Sequence, residues 1–244
     1  MLYIARTLDG PGRIATVVIH ANALPQLVGY LLNSDSSTNA VHPELTRHTI
    51  SILAYILSYH QTWQPALHTP IVSLLTARLS ESLANPNLGP PIDTACAIAK
   101  ITDAEGGKHI ATEAGTVPLL ISALSHPSQF LVKMAVRALR NIASIADGRR
   151  AVYEAHAVQH LVALLDLHRQ ADNEVRYDAV KALSSIVSIG RVARQTMREE
   201  GVVEKLKALP NPPLELQRAA EDLRDELRGR FGFQILLATF MFVF

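Results

Sequence analysis

Apolar residues recur along this chain in two alternating kinds of segment. Five short segments carry paired apolar residues after a Pro or polar position: ALPQLVGYLL, HTPIVSLLTARL, TVPLLISAL, AVQHLVALL and VVEKLKAL. Their reference positions lie 41 to 48 residues apart, at Pro25, Pro70, Pro118, Gln159 and Glu204. Self-similarity at such a period predicts a repeat architecture.

Each short segment is followed by a break rich in turn residues and then by a longer amphipathic run. In the run LVKMAVRALRNIAS, the apolar positions Leu131, Ala135, Ala138, Leu139 and Ile142 recur at helical spacing. This spacing predicts a helix with one apolar stripe. No run shows the strict period-two alternation of a β-sandwich. A third, shorter element begins with Gly in GRIATVVIHAN, GGKHIATEAG, GRRAVYEAH and GRVARQTMREEG. A closing Gly or Asn permits a sharp turn into the next helix, so three helices form the predicted unit.

These units resemble the armadillo repeat, whose pattern is read in EAGTVPLLISALSHPSQFLVKMAVRALRNIAS, Glu113 to Ser144. The resemblance covers residues 11–209 well and 210–228 loosely, and it is weakest over 70–104. It implies an all-α, right-handed α-solenoid of about five three-helix repeats, the first truncated, whose third helices line a concave groove. HEAT repeats, with two helices per unit, are the nearest competing class, and the short Gly-bounded helix favours armadillo. The predicted domains are a solenoid over 1–230 and an apolar tail over 231–244.

The resemblance also implies a peptide-binding groove. Armadillo proteins carry an Asn late on the third helix that holds an extended peptide's backbone, and Asn141 matches that position. The equivalent positions in neighbouring repeats are Lys100 and Ser185, and Arg137 and Lys181 lie one helical turn earlier. The hypothesis is a groove for an acidic peptide, formed by these five residues. Two alternatives stay open: the cations belong to ordinary solvated faces, or Asn141 bonds the adjacent repeat's backbone.

The tryptophan content separates members of the family. Importin-alpha-like proteins use Trp on their third helices to hold a lysine-rich signal. This chain has one tryptophan, Trp63, and it falls outside the predicted third helices. The chain therefore resembles beta-catenin-like scaffold repeats more than importin-alpha-like receptors.

Composition and candidate chemistry narrow the function. Lys and Arg (23) nearly balance Asp and Glu (22), which argues against a nucleic-acid binder. The single Cys96 fits a reducing compartment, so we expect the cytoplasm, with the nucleus as an alternative. His156 and His160 lie four apart, but no third metal ligand is evident, and His156 occupies a helix-separating position. Cys96 lies among small apolar residues with no identifiable base. We therefore expect no catalytic residue, no metal and no cofactor.

The expected function is a non-catalytic scaffold or adaptor that binds a protein or peptide segment. The alternatives are a chaperone-associated or transport adaptor and, less favoured, an accessory domain of an enzyme complex. At the start of the sequence, YIARTL (residues 3–8) is typical of the end of a third helix. This predicts either that the sequence is a piece of a longer array or that something packs on the apolar edge of the first repeat. The final 14 residues, FGFQILLATFMFVF, are shorter than a membrane-spanning helix. A cap on the last repeat or non-native sequence is favoured there over membrane contact.

Overall fold

The apolar stripes of the sequence fold as helices. The computed structural model describes residues 17–33, 43–85, 91–166 and 172–228, and within these ranges it has helices and no strand. In chain order the helices are α1 (Ala23–Asn33), α2 (Pro43–Ile56), α3 (Trp63–Leu67), α4 (Ile71–Ala84), α5 (Ile92–Ile101), α6 (Glu105–Glu113), α7 (Thr116–Ala123), α8 (Gln129–Ala143), α9 (Ala146–Glu154), α10 (Ala157–Ala163), α11 (Asn173–Val187), α12 (Arg191–Glu199), α13 (Val202–Lys207) and α14 (Leu214–Arg228). Residues 17–20 are also helical, and a short 3-10 turn covers His60–Thr62. The predictions for residues 3–8 and 231–244 lie outside the described residues.

The helices follow the predicted three-helix order. A short helix, a second short helix and a long third helix recur as α6–α7–α8, α9–α10–α11 and α12–α13–α14. The preceding repeat, α3–α4–α5, is the least regular, because its first helix is only Trp63–Leu67 and its third only Ile92–Ile101. The resemblance to the armadillo repeat is weakest over residues 70–104 in the sequence, and these short helices are the structural counterpart.

The chain divides into two compact units, residues 1–142 and 143–244. In the first, α2 packs against α5, and α4 packs against α5, α6 and α7. The predicted stripe of α8 is confirmed, since all five of its side chains are fully excluded from solvent: Leu131, Ala135, Ala138, Leu139 and Ile142. Thr76 of α4 and Thr116 of α7 share a buried hydrogen bond of 2.7 Å. Successive second helices are thus joined by a polar contact as well as by apolar packing.

The second unit uses the same packing. Helix α11 contacts α9, α10, α12 and α14, and Leu183 and Leu223 are fully buried. Asp172 caps α11 by accepting a hydrogen bond from the Val175 N–H at 2.8 Å, which satisfies one of the free donors at the helix start. None of the helices in the described ranges is long and apolar enough to cross a membrane.

A left-handed residue precedes the second helix in four repeats. Asn22, Gly115, His156 and Gly201 have φ angles of 48°, 70°, 59° and 70°, respectively. This conformation is accessible to Gly and tolerated by Asn, and it reverses the chain between two helices. The predicted separating role of these positions is confirmed. His156 is the N-cap of α10 while His160 lies within it, and the described residues contain no cluster of His, Cys, Asp and Glu suited to a metal.

The repeat register at Pro70 differs from the prediction. Pro25, Pro118, Gln159 and Glu204 are each the third residue of their helix. Pro70 instead is the N-cap of α4, with a ψ angle of 30°. The buried pair that opens α1, α7 and α10 corresponds here to Ile71 and Val72, so Pro70 precedes the equivalent position by three residues. The sequence alignment matched a proline to a proline, whereas packing matches the buried pair.

Gly107 provides a test of the close packing between first and third helices. A Cβ atom at this position would lie 2.0 Å from the carbonyl oxygen of Ile101, at the end of α5. We expect Gly107→Ala to lower the free energy of unfolding by about 3 kcal/mol, because backbone must move. Gly29→Ala, in the open interior of α1, should raise it by about 0.5–1 kcal/mol. Chemical denaturation of the two variants measures both changes. Equal stability of the two would contradict the packing described.

Candidate functional site

Two positions one helical turn apart form an equivalent strip on each third helix of residues 1–142. It carries Ser51 and Tyr55 on α2, Cys96 and Lys100 on α5, and Arg137 and Asn141 on α8. In each helix the two residues lie four positions apart, which is one turn on one face. We call this set the third-helix strip. The structure therefore places the predicted residues Lys100, Arg137 and Asn141 at equivalent positions on successive repeats.

Asn141 is held by the preceding repeat. Its side chain is only 8% exposed. Its Nδ2 donates to Asp103 Oδ1 at 2.8 Å, with a longer contact of 3.3 Å to the Ala99 carbonyl oxygen. Its Oδ1 accepts from Arg140 Nη2 at 3.1 Å. These bonds give Asn141 the structural role that the sequence left open as an alternative, because its amide is already engaged within the chain.

Arg137 forms an ion pair with the same carboxylate. Its Nη2 lies 3.0 Å from Asp103 Oδ2, and the two side chains are 28% and 20% exposed. Asp103 thus offers one oxygen to the guanidinium and the other to the Asn141 amide. The Arg137 Nε is buried and has no hydrogen-bond partner in the described part of the chain. The positive charge predicted at Arg137 is therefore locally balanced.

A second carboxylate lies farther along the strip. Ser51 Oγ on α2 donates a hydrogen bond to Asp93 Oδ2 on α5. Burial is the largest effect on the Cys96 thiol, and it raises the pKa. The charges of Lys100 and Arg137 lower this pKa, whereas that of Asp93 raises it further. A thiol with a raised pKa is a poor nucleophile near neutral pH, which agrees with a packing role. Lys100 itself forms no ion pair with any residue that the structure describes.

Two tyrosines mark the α2 end of the strip. Tyr59 and Tyr55 pack edge to face, with ring centroids 5.6 Å apart and an interplanar angle of 84°. The Tyr59 hydroxyl donates to the Tyr55 hydroxyl at 2.9 Å. This hydrogen bond, followed by burial, raises the pKa of Tyr59 to about 12. Tyr55 remains 37% exposed, so the position equivalent to Asn141 here presents an aromatic ring.

The other two predicted residues lie in the second unit, on α11. Lys181 is exposed and forms no ion pair within the described ranges, and Ser185 Oγ donates to the Lys181 carbonyl oxygen at 3.1 Å. Burial raises the pKa of Glu226 on α14, and Asp222 adds to the rise, whereas Lys181 and Arg194 oppose it. Lys181 therefore stands near the Glu226 carboxylate.

The sequence interpretation missed these carboxylates. It selected basic and amide residues for the groove, did not consider Asp93 or Asp103, and assigned the segment EDLRDEL, which contains Asp222 and Glu226, to a solvated face. One signal was present for Asp103. Three positions after Asn141 and Ser185 the sequence has serines, Ser144 and Ser188, whereas three positions after Lys100 it has this aspartate. An acidic residue replacing a serine at the end of a third helix was a visible departure from the repeat.

Comparison with known proteins gives the family. Residues 105–144 match the model of the Armadillo/beta-catenin-like repeat. A designed armadillo repeat protein superposes with a TM-score of 0.74 at 27% identity, over 87% of this chain and 85% of that one. Residues 105–144 are therefore an armadillo repeat, and the chain has the armadillo fold. Another designed armadillo repeat protein, in complex with the peptide (KR)4, gives a TM-score of 0.71 at 28% identity, over 87% of this chain and 85% of that one.

A natural armadillo structure shows the same fold. The armadillo repeats only protein from Plasmodium falciparum superposes with a TM-score of 0.68 at 17% identity, over 90% of this chain and 98% of that chain. No curated protein matches this sequence. The predicted all-α armadillo solenoid is thus confirmed as the fold of this chain. Trp63 lies in α3, outside the armadillo third helices, as the sequence predicted.

Glu226 gives a pH-dependent prediction for the armadillo fold. Its pKa is raised in the fold, so the stability it contributes is full below its unfolded pKa and is lost as pH rises through its folded pKa. We expect Glu226→Gln to stabilise the protein at pH 7, because the substitution removes a partly desolvated charge beside Asp222, and to have little effect near pH 4. Thermal denaturation at both pH values measures the difference.

Glu215→Gln provides the control on the same helix. Glu215 is exposed in the first turn of α14, where a negative charge is favourable. This control should therefore give no stabilisation at pH 7. A Glu226→Gln variant that is less stable than wild type at pH 7 would contradict the assigned environment.

Proposed function

We propose that this armadillo protein is a non-catalytic interaction scaffold that binds an extended segment of a partner protein against its third helices. The observation that supports this most is the strip itself. The apolar sides of the third helices are consumed by packing, whereas Tyr55 and Lys100 of the strip keep an aromatic and a charged group accessible. An extended chain needs such spaced contacts along consecutive elements, since each repeat supplies only one or two.

The proposal assigns acidic residues to the partner. One designed relative is in complex with the basic peptide (KR)4, so the armadillo fold alone does not set the sign of the ligand's charge. The sign of the ligand's charge must therefore be set by the side chains of the strip. Lys100 and Lys181 form no ion pair among the described residues, whereas Asp103 is already paired with Arg137. The cations left to meet a ligand are therefore Lys100 in the first unit and Lys181 in the second, each considered separately.

A peptide-display selection against the full chain tests this function. We expect the selected peptides to be extended and enriched in Asp and Glu. Lys100→Glu or Lys181→Glu should weaken the peptides that contact the corresponding helix by about tenfold, because an attraction becomes a repulsion. Fluorescence anisotropy measures the affinities.

Lys207→Glu is the matched control for these reversals. Lys207 is exposed at the end of α13, which is a second helix, so its reversal adds the same charge away from the third helices. The affinity of the Lys207→Glu variant for the selected peptides should stay within about threefold of the wild-type affinity. Selected peptides that lack acidic residues, or that are weakened equally by all three reversals, would argue against the proposed site.

A further inference from the structure

The carboxylate of Asp103 occupies a two-point anion site on α8. Arg137 Nη2 contacts Oδ2 at 3.0 Å, and Asn141 Nδ2 contacts Oδ1 at 2.8 Å. A guanidinium and an amide that each take one oxygen of a carboxylate form a charge-assisted pair of bonds with defined geometry. The contact therefore shows directly which chemical group Arg137 and Asn141 bind together.

We propose that Asp103 is an internal competitor for this site, and that a carboxylate of the partner binds Arg137 and Asn141 only by displacing it. The inference rests on the proposed function and adds regulation to the same strip. In the state described by the structure, the α8 part of the strip is closed to acidic ligands. Binding then begins elsewhere on the strip, at Lys100, and extends to α8 when Asp103 leaves.

The site retains its form when Asp103 leaves. Asn141 also contacts the Ala99 carbonyl oxygen at 3.3 Å and Thr102 Oγ1 at 3.5 Å, and its Oδ1 accepts from Arg140. These contacts keep the amide in place without the aspartate. Thr102 is itself anchored, because its hydroxyl donates to the Ile98 carbonyl oxygen at 2.9 Å. The anion site is therefore organised by backbone and neighbouring side chains, and Asp103 fills it.

Asp103 is placed so that it can move. It lies between the end of α5 at Ile101 and the start of α6 at Glu105, where its own N–H donates to the Lys100 carbonyl oxygen at 3.2 Å. Its side chain is 20% exposed, so the carboxylate borders solvent. Rotation of a short side chain at a helix end releases the carboxylate into water, and the helices need not move. The competition is thus a side-chain event.

The test measures the affinity of an acidic probe for the full chain. The probe is fluorescein-labelled hexaglutamate with an amidated C-terminus, followed by anisotropy at low salt. We expect Asp103→Ala to bind it about tenfold more tightly than wild type, since the site no longer has to be vacated. The gain should disappear in the Asp103→Ala/Arg137→Ala double variant, because the cation of the site is then missing.

Asp93→Asn separates competition from net charge. Asp93 is not one of the strip residues, and its carboxylate accepts a hydrogen bond from Ser51, so its removal lowers the negative charge without opening the α8 site. We expect its affinity to stay within about threefold of wild type. A neutral peptide with a free C-terminus, tested on Asp103→Ala, distinguishes a main-chain carboxylate from side-chain carboxylates, and tighter binding of either probe supports the inference.

Three results would overturn the inference: no gain for Asp103→Ala with either probe, an equal gain for Asp93→Asn, or a gain that persists without Arg137. Asp103→Asn, which keeps the side-chain size, replaces Asp103→Ala if circular dichroism shows that the latter is unfolded. The outcome is separable from that of the proposed function. If Lys100→Glu abolishes peptide binding while Asp103→Ala changes nothing, the scaffold function stands and the competition fails.

Discussion

Stacking of the third helices on their neighbours is the constraint on which the rest of this protein depends. Leu139 and Ala138 of α8 and Ile98 of α5 are fully excluded from solvent. No repeat can bury such a stripe alone, so packing against neighbours determines which faces remain for other uses. The third-helix strip is one of the faces that this packing leaves for contact with a partner.

The same stacking brings the strip of one repeat next to the helix end of the preceding one. That proximity allows Asp103 to reach both Arg137 and Asn141. Ser51 likewise reaches Asp93, which lies in the first turn of the next repeat's third helix. Charge on the strip is consequently a property of pairs of repeats and not of single side chains. The charge of Arg137 is offset because the preceding repeat ends in the carboxylate of Asp103.

The sequence predicted the repeats and the buried stripes because both are periodic, and Leu131 to Ile142 illustrates this directly. It also predicted the helix separators, since Gly115 and Gly201 adopt a conformation that few residues tolerate. It aligned Pro70 with Pro25 and Pro118 because all three are proline. Buried positions determine the register of the second helices, and by that criterion Pro70 precedes the equivalent position. It located Arg137 and Asn141 but not their partner, because Asp103 lies 34 and 38 residues away and no periodicity encodes a bond between repeats.

The central claim is that the α8 strip is held by a carboxylate of the preceding repeat. A double-mutant cycle on Asp103→Ala and Asn141→Ala, read as free energies of unfolding of the full chain, tests it most directly. The cycle removes each partner alone and then both, so it isolates their mutual contribution from the other contacts of either residue. The account predicts a coupling energy of about 1–2 kcal/mol, as expected for a partly buried hydrogen bond to a charged group. A coupling energy indistinguishable from zero would contradict it.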